Sequence, residues 1–242
     1  MIMIFKRSSM CLVSITILIA GITILLGRQL GDVPASALPV YSSAIVIDAG
    51  HGEPDGGCVA ADGTKEAGLN LSVSQKLAGI LSQSGSKVIM TRTTEEGMFD
   101  SSAKTVAEKK RADMYKRRDI QKNSGADLFV SVHMNKFEQS KYSGAQVVYD
   151  TKNPEAKVLA ACIQTSLREN VDPDNKREPM AAQSGIFLLK NAPIPSVIVE
   201  CGFLSNSDEL AKLKTEDYQN KIAWAIYSGI SKYYEQNAPR QQ

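Results

Sequence analysis

The chain is poor in the residues that most often build reactive sites: its 242 residues include two histidines, four cysteines and one tryptophan. Cys11 lies in an apolar N-terminal run, which leaves Cys58, Cys162 and Cys201. An odd number of thiols argues against a disulfide framework, although one bridge among them stays open, and buried free thiols are the simplest reading. Net charge is nearly absent as well. The 28 Lys and Arg against 26 Asp and Glu give +2, and because Lys6, Arg7, Arg28 and Asp32 precede position 43, the remainder balances at 25 of each sign. A neutral domain lacks the cationic field that phosphate-driven binding requires, so no nucleic acid partner is expected. Repeats, low-complexity linkers and composition breaks are missing after the first forty residues or so, which favours one domain over two.

The long hydrophobic run is at the beginning. Residues Ser8 to Gly27 carry no charge and come directly after Lys6-Arg7. As a helix of about 1.5 Å rise per residue this run is long enough to cross a bilayer, and the leading cations place the rest of the chain on the outer side. Ala35-Ser-Ala37 has the small-x-small form of a signal-peptidase site but lies far beyond the apolar stretch. Residues 1–30 are therefore expected to be a signal peptide or a membrane anchor, 31–42 a linker containing Pro34 and Pro39, 43–236 a catalytic domain, and 237–242 a tail. The domain is expected to be exported, either anchored or secreted. Cys11 opens the apolar run rather than succeeding it, which is badly placed for lipoprotein processing.

Hydrophobic residues at 43% and charged residues at 22% allow a sizeable core. Apolar runs bounded by turn residues predict strands at Ala44–Asp48, Ser86–Thr91, Asp127–Val132, Ala145–Tyr149, Ile186–Leu189 and Ser196–Glu200. Leu69, Val73, Leu77, Ile80 and Leu81 recur at helical spacing from Lys65 onward, with Asp62-Gly63-Thr64 as the expected capping segment. Further helices are expected at Lys104–Asn123, Pro154–Glu169, around Asp208–Leu213, and at Asp217–Tyr234. The mixed charges of the Lys104–Lys122 stretch, Arg117 and Arg118 among them, read as a solvated helix face. Alternating strands and helices predict an α/β single domain with a mixed, largely parallel sheet flanked by helices.

Both histidines sit just after or within the end of an apolar run, in Ile45-Val-Ile-Asp-Ala-Gly-His51-Gly and in Leu128-Phe-Val-Ser-Val-His133-Met-Asn135. Ligand sites of α/β sheets gather at the carboxyl ends of strands. Glu66 opens a helical pattern and Glu200 closes the run Ser196-Val-Ile-Val-Glu200, so three strands and a helix start could converge. His51, Glu66 and His133 supply the three ligands of a catalytic zinc, whose fourth position is kept for water. Glu200 is then placed as general base, in an apolar setting that Gly202 and Phe203 suggest. Its alternative is a carboxylate ending a strand in a salt bridge. Asp48 could orient a histidine ligand or serve a turn. A metal-free hydrolase using Cys201 or Cys58 with a histidine base is the competing chemistry, although Cys201 and Glu200 must face opposite sides of a regular strand.

These residues carry a resemblance. Ile47-Asp-Ala-Gly-His51-Gly, Glu66-x-x-x-Asn70-Leu71, Arg118-x-x-x-x-Asn123, Ser131-Val-His133-Met-Asn135 and Val199-Glu200-Cys-Gly-Phe-Leu-Ser-Asn206 resemble, in order, the signature elements of the zinc-dependent N-acetylmuramoyl-L-alanine amidases of the amidase 3 type. The resemblance covers nearly the whole domain and implies His51, Glu66 and His133 as zinc ligands and Glu200 as catalytic. The substrate it implies is peptidoglycan, cut at the amide between the lactyl group of muramic acid and L-alanine. Ala49, Glu53 and Ala67-Gly68 depart from the family's usual proline, glycine and Lys-Asp, in loop positions rather than ligands. The single N-terminal segment, the bare catalytic domain, and the stretch from Tyr142-Ser-Gly-Ala-Gln146 through Ile186-Phe-Leu-Leu-Lys190-Asn resemble the family's spore-cortex branch. That branch implies a product taken to muramic-δ-lactam by a muramic acid deacetylase, and a lipoprotein activator as partner. A general cell-wall autolysin, or a peptidoglycan-binding protein without turnover, are the alternatives.

Overall fold

The computed structural model describes residues 43–182 and 185–237. The expectations for Ser8–Gly27 and for Ala35-Ser-Ala37 lie outside the described residues. Among the described residues, no helix is long and apolar enough to cross a membrane.

Six strands form one sheet: β1 (Ala44–Ala49), β2 (Lys87–Met90), β3 (Leu128–Asn135), β4 (Gln146–Tyr149), β5 (Met180–Ala181) and β6 (Ser196–Phe203), in the order β2-β1-β3-β6-β4-β5. β2, β1, β3 and β6 run parallel, while β4 lies antiparallel to β6 and carries β5 parallel to itself. The expected mixed, largely parallel sheet is thus observed. The central strands β1 and β3 are buried on both faces, as parallel strands covered by helices must be, which explains their near-continuous apolar runs.

Among the described residues, five helices surround the sheet: α1 (Glu66–Gln83), α2 (Val106–Asn123), α3 (Pro154–Asn170), α4 (Ser207–Leu213) and α5 (Glu216–Asn237). The main core lies on one face, where Ile45, Ile47, Val130, Val132, Val197 and Val199 meet Leu77 of α1, Leu159 and Ile163 of α3, and Ile226 and Ile230 of α5. The opposite face is covered by α2 and the segment around Leu188, with a small core of Val46, Ala126, Phe129 and Leu188.

Three expectations are corrected. Residues 187–190 form turns instead of the strand expected at Ile186–Leu189, and the sheet's far edge is supplied by Met180–Ala181. Ile186 and Leu189 pack against Val148 and Ile198, so the apolar run marks burial of a loop and not pairing. Asp62-Gly63-Thr64 does not cap α1: the N-cap is Lys65, with no side-chain cap, and the first amides donate instead to the carbonyls of Cys58 (Glu66 N, 2.9 Å) and Gly56 (Ala67 N, 3.1 Å). The third concerns α2. It is no wholly solvated helix, because Asp113, Arg117 and Gln121, at i, i+4 and i+8, are buried against the sheet.

Candidate metal centre

The loop after β1 carries His51. This residue adopts a left-handed backbone with φ 60°, a conformation that costs a non-glycine residue roughly 1–2 kcal/mol and therefore needs outside support. β3 extends to Asn135, two residues beyond His133, and there the β3–β6 ladder shifts: His133 pairs with Glu200, but Asn135 pairs with Phe203. β6 thus fits three residue steps against two, a bulge at the rim of the sheet, where bulges commonly re-aim side chains. Glu66 is the first residue of α1, packed on the sheet's other face, and its side chain is 2% exposed.

The two carboxylate oxygens of Glu66 divide the work. Oε1 lies 2.8 Å from His133 Nδ1 and accepts from Met134 N (3.2 Å) and Asn70 Nδ2 (3.2 Å). Oε2 lies 3.3 Å from His51 Nε2 and accepts from Cys58 N (2.8 Å). Burial raises the pKa of this carboxyl, but the two imidazoles outweigh it and hold the group far below the ordinary carboxylate range. One donor atom from each of His51, Glu66 and His133 lies within 4.8 Å of the others, so a single ion could touch all three.

Two glycines make room for this cluster. A β-carbon at Gly50 would stand 2.3 Å from Nε2 of His133. At Gly57, with φ 69°, it would stand 2.6 Å from Glu66 Oε2 and 2.7 Å from the His51 ring. The glycine-rich loop is packed directly onto the side chains of this cluster.

His51 Nδ1 lies 3.0 Å from Asp55 Oδ2, and the same oxygen lies 3.0 Å from Lys110 Nζ. The carboxylate hydrogen-bonded to a histidine is therefore Asp55, and of the two roles weighed for Asp48 the structural one is found. Asp48 is fully buried and committed elsewhere: it accepts from Thr91 Oγ1 (2.8 Å), from Ser131 Oγ (2.5 Å), and from Arg117 in a short ion pair. Burial opposes protonation of His51, yet the hydrogen bonds to Asp55 and Glu66 outweigh it and raise its pKa to about 9.

Glu200 has neither an ion pair nor a hydrogen bond at Oε2, which is buried, so the salt-bridge alternative does not hold among the described residues. Burial pushes its carboxyl up, more than nearby His133 draws it down, and the Glu66 charge adds to the rise. Cys201 points the other way, into the main core, and burial raises its thiol far above the usual range. The Cys58 thiol is pushed up to about 11 by burial and by Glu66. Neither cysteine offers a thiolate, and no disulfide joins Cys58, Cys162 or Cys201.

Four supporting residues were given no role at the site by the sequence reading: Asp55 and Arg92, Asn70, which entered only as part of a motif, and Arg117, which was read as part of a solvated helix face. Asp55 and Asn70 had a signal in their spacing, each four residues beyond a member of the cluster, His51 and Glu66. The motif Arg118-x-x-x-x-Asn123 points one residue away from the buried arginine. Arg118 reaches the carbonyl of Lys190 (3.0 Å), Asn123 bonds Asp119 (2.6 Å), and it is Arg117 that enters the site.

An α/β sheet that brings two histidines and a buried glutamate together at its carboxyl edge, beside a further carboxylate, Glu200, has the candidate metal site that metal-dependent hydrolases use. The sequence profile of the amidase 3 type, N-acetylmuramoyl-L-alanine amidase, matches residues 45–232, and the chain belongs to that family. It is 35% identical over 198 residues to the germination-specific N-acetylmuramoyl-L-alanine amidase of Bacillus subtilis, covering 82% of each protein. Its fold is similar to that of the CwlD amidase of Clostridioides difficile solved in complex with the GerS lipoprotein, with a TM-score of 0.78 and 44% identity over 80% of this chain and 99% of that one. An N-acetylmuramoyl-L-alanine amidase of Clostridium difficile 630 matches with a TM-score of 0.69 and 27% identity over 82% of this chain and 99% of that one. The activity is accordingly that of a peptidoglycan amidase, at an extracytoplasmic location.

Proposed function

We propose that His51, Glu66 and His133 hold one zinc ion and that Glu200 is the acid–base residue for hydrolysis of the muramoyl–L-alanine amide. The donor set fits zinc: two imidazole nitrogens and one carboxylate oxygen, preorganised by Asp55, Asn70 and Cys58 N. When bound, zinc supplies Lewis acidity, acidifying a water and polarising the scissile carbonyl. Glu200 takes the proton from the attacking water and returns it to the amine of L-alanine as the C–N bond breaks. The raised affinity of its buried carboxyl for a proton suits both halves of that task. A cavity bounded by His51, His133, Met114, Ile186, Phe187 and Leu188 opens beside the two histidines and offers the substrate an apolar wall, with the Asp55–Lys110 ion pair among its polar lining.

The observation that carries this reading is the placement of Glu200. It is the register partner of His133, on the same face of the sheet, with Oε2 buried and without a partner among the described residues. A carboxylate left without a partner beside a ligand cluster is poised for a group that arrives during the reaction. The similarity to the germination-specific amidase and to CwlD supports a spore role, and the family resemblance implies a product in spore cortex that a muramic acid deacetylase takes to muramic-δ-lactam. CwlD was solved with a lipoprotein, and a lipoprotein activator is proposed here by that similarity. Mass spectrometry of peptidoglycan incubated with the full chain and zinc tests the reading. Free stem peptides beginning with L-alanine are expected from the parent and not from Glu200→Ala. Equal release by both would remove Glu200 from the chemistry.

A further inference from the structure

The carbonyl oxygens of Ala49, Gly50 and His51 are three successive acceptors, and two buried arginines reach all of them. Arg92 Nε donates to Ala49 O (2.9 Å), and its Nη2 donates to both Gly50 O (3.0 Å) and Ala67 O (2.8 Å). From the other side, Arg117 Nη1 donates to Ala49 O (2.7 Å) and Nη2 to His51 O in a short contact. Ala67 is next to Glu66 in α1, so one guanidinium nitrogen joins the loop of one ligand to the helix of another. The second guanidinium is itself fixed by Asp113 (2.6 Å from Nε) and by Asp48 of β1. We propose that Arg92 and Arg117 are positioning residues for the metal ligands, setting His51 relative to Glu66 and to the sheet through the carbonyls of residues 49–51.

A purely structural role accounts poorly for this arrangement. Burying ion pairs such as Asp48–Arg117–Asp113 incurs desolvation that apolar residues of similar volume would avoid, so a network of this kind is weak evidence for stability in itself. What it does provide is geometry. The guanidinium fork has donors at fixed angles, so each arginine can hold two or more carbonyls at once, and a single ammonium nitrogen on a flexible stem cannot reproduce that. The device also meets a specific need. His51 sits at φ 60°, and a ligand loop in that conformation relaxes unless its peptide groups are held from outside.

The inference rests on the reading of His51, Glu66 and His133 as metal ligands, and the test separates the two. Zinc affinity of the metal-free full chain is measured against a chromophoric chelator for the parent, His133→Ala, Arg117→Lys and Arg92→Lys, with thermal unfolding of each metal-free protein in parallel. The parent should bind one zinc and His133→Ala should not; a parent without binding, or a His133→Ala variant that binds equally, removes the metal site itself. With that established, each lysine variant is expected to lose zinc affinity by about 10–100-fold, the range typical of lost outer support, while its metal-free form still unfolds cooperatively. A folded lysine variant that binds zinc like the parent overturns the proposal, even if it melts earlier. If Arg117→Lys does not fold, because Asp48 and Asp113 lose their partner, Arg92→Lys decides alone. Should that variant not fold either, the clamp serves the fold and not the ligands, and the proposal fails.

Discussion

His133 and Glu200 are partners across the β3–β6 ladder, so both side chains leave the sheet on the same face, at the edge where the ladder bulges. His133 is tied to Glu66, whereas Glu200 keeps a buried oxygen without a partner among the described residues. Replacing Glu200 by glutamine preserves shape and hydrogen-bonding capacity but removes the ability to accept a proton. Glu200→Gln is therefore expected to lower kcat by about 10²–10⁴-fold, the usual contribution of a positioned acid–base group, with little change in zinc affinity. Steady-state assays on soluble muramyl peptides beside a zinc titration check this. Loss of zinc in step with activity would instead make Glu200 part of the ligand set.

Gly50 has an ordinary backbone conformation, so alanine is excluded there by contact alone. The added methyl would stand 2.3 Å from the His133 ring, and relief comes by turning that ring out of reach of Glu66. Gly50→Ala is expected to fold, to melt within a few degrees of the parent, and to lose most zinc binding. Metal analysis of the purified variant gives the answer, and full zinc occupancy would show that His133 is not held where the ligand cluster requires it.

How much of this was legible beforehand depends on which side of the sheet is considered. The apolar face announced itself: Leu69, Val73, Leu77 and Leu81 recur at helical spacing, and the runs of β1, β3 and β6 gave their strands to within a few residues. The convergence of His51, Glu66 and His133 was legible because histidine is so scarce in this chain that its placement carries information. The polar face was not legible. Below the site the sheet presents Asp48, Ser131 and Ser196, so the helix covering it buries Asp113, Arg117 and Gln121 in place of an apolar stripe. Gln121, for example, donates to Ser196 Oγ (3.0 Å) and to Leu188 O (2.9 Å). A helix whose inward residues are charged looks solvated to any hydrophobic pattern. The turns at 187–190 failed for the converse reason, since an apolar run records burial whatever its backbone does.

Asp55 stands between His51 and Lys110, 3.0 Å from each. As hydrogen-bond acceptor to Nδ1 it directs the other ring nitrogen, Nε2, toward Glu66 and the ligand cluster. Asp55→Asn can present its amide nitrogen and reverse the ring's proton preference, or keep the bond with a weaker neutral acceptor. Either way zinc affinity is expected to fall by about 10–100-fold. The same variant should lower the pKa of His51, which histidine NMR of the metal-free protein reads directly, because the chain has a second histidine, His133, for comparison. An unchanged His51 titration would show that the Asp55 contact is not made in solution.

The raised pKa of His51 also fixes the sign of a pH effect on the metal-free protein. With an ordinary value of 6.5 and a folded value of about 9, the folded state holds this proton more tightly than the unfolded chain. The stability so gained is fully present below pH 6.5 and is lost as pH rises through about 9. Its size is at most about 3 kcal/mol, because the same contacts with Glu66 and Asp55 also lower those carboxyls and must not be counted twice. Those carboxyls act at the other end of the scale: their contribution is present above their unfolded values and is lost only as acid protonates them. The melting temperature of the metal-free chain should therefore fall between pH 6.5 and 9, by up to about 10 °C for a domain of this size. Zinc needs the neutral imidazole, so its affinity should rise across the same window as the competing proton leaves. Saturating zinc then replaces the proton as the partner of Glu66, and the zinc-loaded protein should show a flatter melting profile there. A metal-free profile that is already flat would mean that the three side chains do not associate without the ion, and that the cluster is assembled by the metal itself.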